Sequence, residues 1–299
     1  MLTPPQLSTW LRSHTLRFKE SSMRIPFTKM HGLGNDFILI DCREESYCTD
    51  KFDMSLMANR RLGVGCDQIL LLGQPKTQQA IASYEIFNSD GSRAEQCGNG
   101  LRCVVQYLKL QGEIDASAVV EIDDELIDAT ISENGQVTVK MLPPDFSPTS
   151  IALEVTRQDK HYSQELGGKQ LAFGAVSMGN PHAVIKIDSI NEVSVSELGA
   201  AMQASGIFSN GVNVGFMEIV SDNSIHLRVY ERGVGETPAC GTGACAAAAV
   251  GILWGDLSPG KIDVKLPGGY LNIEWNGDIA SEIYMTGPAQ FVFQGVMAV

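Results

Sequence analysis

Two tetrapeptides constrain this chain more than any other feature: Cys97-Gly98-Asn99-Gly100 and Cys240-Gly241-Thr242-Gly243, each opening an apolar run. Their surroundings repeat as well. Asn88 stands nine residues before the first cysteine and Glu231 nine before the second, so both pairs share a spacing of 143 (88 to 231, 97 to 240). Upstream, Gly34-Asn35-Asp36-Phe37 lines up with Gly179-Asn180-Pro181-His182, and Gln68 in VGCDQIL with Asn213 in GVNVGFM, each offset by 145 (34 to 179, 68 to 213). Ordered correspondences at a nearly constant offset predict a duplicated unit of about half the chain.

Local patterns fill in that plan. The run Phe37 to Ile40 predicts a strand after a Gly-Asn-Asp turn, and SYEIFN a strand before the Asp90-Gly91 turn. Leu101, Val104, Val105 and Leu108 recur at helical spacing, with Gly112 placed to cap an amphipathic helix. In the second half, IHLRVYERG alternates as a strand, and ACGTGACAAAAVGILWG predicts a helix that is small and apolar on every side, stopped at Gly255. A helix without a polar face must be buried. Three prolines in LPPDFSP (Leu142 to Pro148) mark a linker, and KIDVKLPGGYLNIEW and EIYMTGPAQFVFQ read as strands around Gly-rich turns. The expected fold is α/β, with two pseudo-symmetric lobes.

Composition narrows the partners. At 299 residues and 44% hydrophobic, the chain can bury two cores. A net charge of −13 argues against a nucleic-acid backbone, which is bound by clustered Lys and Arg. The expected partner is a small molecule, and no apolar run reaches the ~20 residues that span a bilayer. Seven irregularly spaced cysteines point away from a disulfide framework and toward a reducing, cytoplasmic compartment. The intervals Cys97 to Cys103 and Cys240 to Cys245 do not match zinc-ligand spacing, so no metal is expected. Cys42, Cys48, Cys66, Cys103 and Cys245 read as core. Residues 1–23, with Arg12, Arg17 and Lys19 against Glu20, read as a non-catalytic extension. It is either a bacterial extension ahead of a second start at Met23 or an organelle transit peptide, the former being preferred.

The two cysteines suggest a chemistry. A thiol has an ordinary pKa of about 8.5, and the unpaired N–H groups and dipole of a helix start lower it. The same N–H groups can hold a carboxylate. Two such starts facing each other across a cleft would place one sulfur on either side of an α-carbon, so that one takes a proton and the other delivers one, with preorganised donors stabilising the charge that develops. That is epimerisation without a cofactor.

HGLGNDF, FNSDGSRAEQCGNGLRC, VSMGNPH, VNVGFM and YERGVGETPACGTGAC, in this order, resemble the diaminopimelate epimerase family over Arg24 to Val299. The resemblance implies conversion of L,L-2,6-diaminoheptanedioate to the meso form, for lysine and peptidoglycan synthesis, without pyridoxal phosphate or metal. It implies that Cys240 accepts the α-proton in that direction and Cys97 donates on the opposite face. His182 and Glu231 would be accessory catalytic groups, and Gly98, Asn99, Gly241 and Thr242 would meet the α-carboxylate. Asn35, Gln68, Asn88, Asn180, Asn213 and Arg232 would be the remaining substrate contacts, alongside Glu231. Fixed amides with one Arg suit a distal ammonium and carboxylate, because a site that reads those groups rejects analogues lacking them.

The resemblance further implies barrel-like curved sheets around a central helix, with the active site in the cleft between lobes. The N-terminal lobe would span 24–141 plus 286–299 and the C-terminal lobe 142–285. A homodimer is implied as well, with Phe293 standing where some relatives carry Tyr at the dimer contact. VVEIDDELIDA, from Val119 to Ala129, departs from the small, Gly-containing turn usual there and puts that hairpin in doubt. Two alternatives stay open: another cofactor-independent amino-acid racemase, or a binding protein that uses the two cysteines as a thiol redox switch.

Overall fold

The computed structural model describes residues 24–44, 52–94, 98–123 and 125–298. The extension 1–23, Cys48 and Cys97 lie outside the described residues. The chain divides into two compact units, Met1–Val139 with Pro288–Val299, and Lys140–Gly287.

In chain order the elements begin with β1 (Arg24–Gly32), β2 (Asn35–Asp41), α1 (Met54–Ala58), β3 (Gln68–Gly73), β4 (Ala82–Asn88), α2 (Gly98–Gln111), β5 (Ser117–Ile122), β6 (Glu125–Ile131) and β7 (Gln136–Met141). They continue with α3 (Pro148–Ile151), β8 (Tyr162–Leu166), β9 (Lys169–Ser177), β10 (Pro181–Lys186), α4 (Val195–Ala204), β11 (Asn213–Ser221), β12 (Ser224–Glu231), β13 (Gly235–Thr237), α5 (Gly241–Trp254), β14 (Gly260–Leu266), β15 (Gly269–Trp275), β16 (Ile283–Pro288) and β17 (Gln290–Ala298).

The first unit is one mixed sheet. β17 and β2 flank β1 antiparallel, β3 joins β2 in parallel, β4 returns antiparallel, β5 pairs β4 in parallel, and β6 and β7 finish it antiparallel. Among the described residues β17 does not pair with β7, which pairs instead with β16, so β1 to β7 with β17 do not close into a barrel of their own. Helix α2 packs on β1, β2, β6 and β17. Phe37, Ile38, Leu39 and Ile40 in β2 are all buried, as a strand covered on both faces requires. Ile38 and Ile40 pack with Met54 and Met57 of α1.

The second unit repeats this order: β9 antiparallel to β10, β10 parallel to β11, β12 antiparallel to β11, β14 parallel to β12, and β15 and β16 antiparallel beyond. Helix α5 packs on β9, β10, β11, β12, β14 and β15. The registers show that the repeat is real. Phe37 faces Gln68 in the first unit, and His182 faces Asn213 in the second, an offset of 145 on both strands.

Both central helices end as expected. Gly112 (φ 75°) and Gly255 (φ 79°) adopt the left-handed conformation that stops a helix. The first eleven residues of α5, Gly241 to Gly251, are all buried. Its small side chains let the sheet approach closely: a Cβ on Gly174 of β9 would fall 2.5 Å from Val250. No helix among the described residues is long and apolar enough to cross a membrane.

Two local expectations change. The turn before β2 is Leu33-Gly34, both with positive φ (55° and 89°), and Asn35 already belongs to the strand, paired with Gly32. A non-glycine residue in that conformation costs about 1–2 kcal/mol, which here is spent at the threshold of Asn35. The doubted hairpin does form: Ile122 pairs with Glu125, and Asp123 takes the positive φ (48°) that a tight turn needs.

Candidate active site

The duplicated frame brings the candidate residues of each unit to matching strand ends. In the first unit Asn35 begins β2, Gln68 begins β3 and Asn88 ends β4, with Gln68 opposite Asn88 in the register. Gln68 Nε2 donates to Asn88 Oδ1 at 3.1 Å, and Asn99 Nδ2 on α2 donates to Asn35 Oδ1 at 3.2 Å. Gly98 and Asn99 form the first turn of α2 and are buried. Beneath them, Asp36 is held by Lys29 at 2.6 Å and by Arg60 at 2.7 Å. Burial pushes the Asp36 carboxyl up, but Arg60 and Lys29 outweigh it and keep it well below the usual carboxylate range.

In the second unit two of the same places carry titratable groups instead, His182 for Phe37 and Glu231 for Asn88. Asn180 follows Gly179 (φ 89°), His182 lies in β10, Asn213 begins β11, Glu231 ends β12 and Cys240 is the N-cap residue of α5. His182 is 1% exposed, and its Nε2 lies 2.8 Å from Asn180 Oδ1. Burial, aided by the charge of Arg232, lowers its pKa to about 3, so at neutral pH the imidazole is uncharged and donates to Asn180 from Nε2. Asn180 Nδ2 donates to Thr242 Oγ1 at 3.4 Å, and Thr242 Oγ1 lies 3.6 Å from Cys240 Sγ. On the other side Thr237 Oγ1 donates to Glu231, and Glu231 hydrogen-bonds the Cys240 thiol. A continuous polar chain thus runs from His182 through Asn180, Thr242 and Cys240 to Glu231 and Thr237.

Cys240 departs from what its helix start alone predicts. Burial first, and the Glu231 carboxylate second, push its thiol well above the ordinary value, against the pull of Thr242 and the Gly243 N–H. Burial likewise raises Glu231, opposed by Thr237 and Cys240. Two neighbouring buried acids cannot both ionise cheaply, so both shifts favour the protonated form and hold Cys240 as a thiol rather than a free thiolate. The sulfur also needs Gly243, where a Cβ would sit 3.2 Å from Cys240 Sγ and 3.0 Å from Val229.

Asn213 is more of a clamp than its sequence context suggests. It is 4% exposed, Nδ2 donates to the Pro181 carbonyl at 3.2 Å, and Oδ1 accepts from the Arg232 N–H at 2.8 Å, tying β10 to the turn after Glu231. The Arg232 guanidinium donates to the Asn210 carbonyl at 2.9 Å. Sequence reasoning missed Thr237, Asp67 and Arg102.

The chain is similar to known proteins over most of its length. Residues 27–147 and 174–292 match the family model described as diaminopimelate epimerase. The chain is 46% identical to the diaminopimelate epimerase of Thioalkalivibrio sulfidiphilus, covering 91% of this chain and 99% of that one. It is 45% identical to the diaminopimelate epimerase of Alkalilimnicola ehrlichii, covering 91% and 98% respectively. Among solved structures it resembles a hydroxyproline epimerase from Agrobacterium vitis (TM-score 0.69, 17% identity, 95% of this chain and 94% of that one). It also resembles a phenazine biosynthesis protein of Bacillus anthracis (TM-score 0.66, 16% identity, 93% and 100%). At such identities these two share the fold alone.

Proposed function

The chain belongs to the diaminopimelate epimerase family, and we propose that it interconverts L,L- and meso-diaminopimelate by moving an α-proton between Cys240 and Cys97. The observation that carries this reading is the environment of Cys240: a buried thiol at a helix start, hydrogen-bonded to Glu231 and backed by Thr242. In the L,L-to-meso direction Cys240 takes the α-proton, its own having passed to Glu231, while Cys97 donates on the opposite face; reversal exchanges the roles. The N–H groups at Gly98, Asn99, Gly241 and Thr242 hold the α-carboxylate and stabilise the carbanionic charge as it develops. Gln68, Asn88, Asn35, Asn180, Asn213 and Arg232 read the rest of the substrate. The lobes spanning 24–141 plus 286–299, and 142–285, each present one cysteine loop. His182, neutral and buried, acts through Asn180 rather than on substrate. No pyridoxal phosphate or metal takes part.

We further propose that the protein works in the cytoplasm, supplying lysine and cell-wall precursors, and as a homodimer. Exposed Phe291, Val292, Phe293 and Val296 on β17 offer an apolar strip suited to a second copy. Phe293→Asp should give a monomer in analytical ultracentrifugation; an unchanged sedimentation coefficient would exclude that surface.

The reaction is tested by incubating the reduced protein with L,L-diaminopimelate in deuterated water. Formation of the meso isomer with deuterium at one α-carbon supports the assignment. Faster turnover of proline or hydroxyproline than of diaminopimelate would overturn the substrate choice.

A further inference from the structure

The first unit contains a chain of hydrogen bonds that runs from a buried cation to a half-exposed carboxylate through two candidate substrate contacts. Arg102 on α2 is 0% exposed. Its guanidinium donates to Asn99 Oδ1 (2.7 Å), to the Pro288 carbonyl (3.2 Å) and to the Gly98 carbonyl (3.4 Å). Asn99 Nδ2 donates to Asn35 Oδ1 at 3.2 Å, and Asn35 Nδ2 donates to Asp67 Oδ2 at 3.4 Å. Asp67 is itself pinned, by Arg60 at 2.7 Å and by the Asp36 N–H at 3.1 Å.

The two ends of this chain are chemically one-sided. A guanidinium only donates and a carboxylate only accepts, whereas an Asn amide presents N–H on one side and oxygen on the other. With Arg102 at one end and Asp67 at the other, turning either amide over would set oxygen against oxygen or N–H against N–H. Each end therefore favours the orientation that the other also requires, and the bias is full only when both are present. Helix α5 has no such device, for Cys245 stands at the matching position (102 to 245).

We propose that Arg102 and Asp67 are positioning residues that lock the Asn99 and Asn35 amides in one orientation, so that a substrate carboxylate meets N–H groups and not carbonyl oxygens. The proposal rests on the reading of Asn35 and Asn99 as substrate contacts. Without the lock, each amide populates both orientations, and only a fraction of the protein is ready to bind. Apparent affinity falls by that fraction, while a complex once formed has the correct orientation and turns over normally. The lock is thus visible as a rise in KM with kcat preserved, whereas mere damage to the Cys97 loop would lower kcat.

The test compares kcat and KM for L,L-diaminopimelate in Arg102→Met, Arg102→Lys, Asp67→Ala and Asn35→Ala. KM should rise about tenfold in Arg102→Met and in Asp67→Ala with kcat within about threefold, and Arg102→Lys, which keeps a donor-only cation, should restore KM. Asp67 lies toward the surface, so Asp67→Ala decides the matter alone if Arg102→Met does not fold. A fall in kcat at unchanged KM, or no change in KM in Asp67→Ala, overturns the lock. Unchanged KM in Asn35→Ala overturns the substrate-contact reading itself, whereas a raised KM there beside a silent Asp67→Ala overturns only the lock.

Discussion

The two units use one backbone frame for different chemistry. Where the first places Gln68 against Asn88, the second places Asn213 beside Glu231; where the first has Phe37, the second has His182; where the first buries Arg102, the second buries Cys245. In the described half-site of the first unit, the Asn99 and Asn35 amides lie between the charged groups of Arg102 and Asp67. That of the second sets His182, Glu231 and Cys240 among its amides and hydroxyls. Duplication preserved strand ends and helix starts, while the side chains placed on them diverged.

Substitutions can break that contrast, starting with the most severe. Cys240→Ser should lower kcat about 10³-fold, since an alcohol is a far weaker acid than a thiol and does not yield the anion that takes the α-proton. Retention of more than a tenth of wild-type activity would remove Cys240 from the proton path. Glu231→Gln should lower kcat about 10²-fold by taking away the carboxyl group hydrogen-bonded to the thiol. It also carries a stability signature. A carboxyl raised above its unfolded pKa contributes most below that pKa, and its contribution is lost as pH rises toward the folded value. Wild type should therefore lose ground against Glu231→Gln as pH climbs from about 4.3, the ordinary Glu pKa. Melting temperatures of the two proteins across pH check this, and parallel curves would contradict it.

His182 has the opposite sign. Its pKa is lowered from 6.5 to about 3, so its stabilising neutral form is fully present above 6.5 and is lost as pH falls toward 3. His182→Gln should flatten the acid side of a denaturation series, with a loss of kcat of about tenfold, smaller than that of Glu231→Gln because His182 acts at two removes from the sulfur. The mildest test concerns what the units share. Gly112→Ala and Gly255→Ala should each cost about 1 kcal/mol, because each places a Cβ at a left-handed helix end with open space around it. A large difference between the two would mean that the helix ends are less alike than their geometry.

Much of this was legible in the chain because it is periodic or repeated. The spacing of 143 to 145 predicted the two-unit plan, and the alanine run predicted a buried helix. Leu101, Val104, Val105 and Leu108 predicted the face of α2. The functional polar network was less legible because it depends on contacts between distant positions. Nothing in the neighbourhood of Asp67 announces Asn35, and nothing around Thr237 announces Glu231 six residues earlier across a tight turn. The behaviour of Cys240 is not legible from its helix start for a related reason. A helix start is a local feature that lowers a thiol pKa, whereas burial and a facing carboxylate come from the fold and outweigh it here.

The pairing of β1 with β17 has a consequence for how the molecule is assembled. Arg24 lies opposite Ala298, so the first sheet gains its edge strand only after the whole second unit has been made. Lys140–Gly287 is continuous and closes on nearby residues. Emerging from the ribosome, the second unit can finish folding while the first waits with β1 unpaired along one side. The order of completion is thus the reverse of the order of synthesis, and the exposed edge of β1 is the stage at which a nascent chain is most open to capture by another.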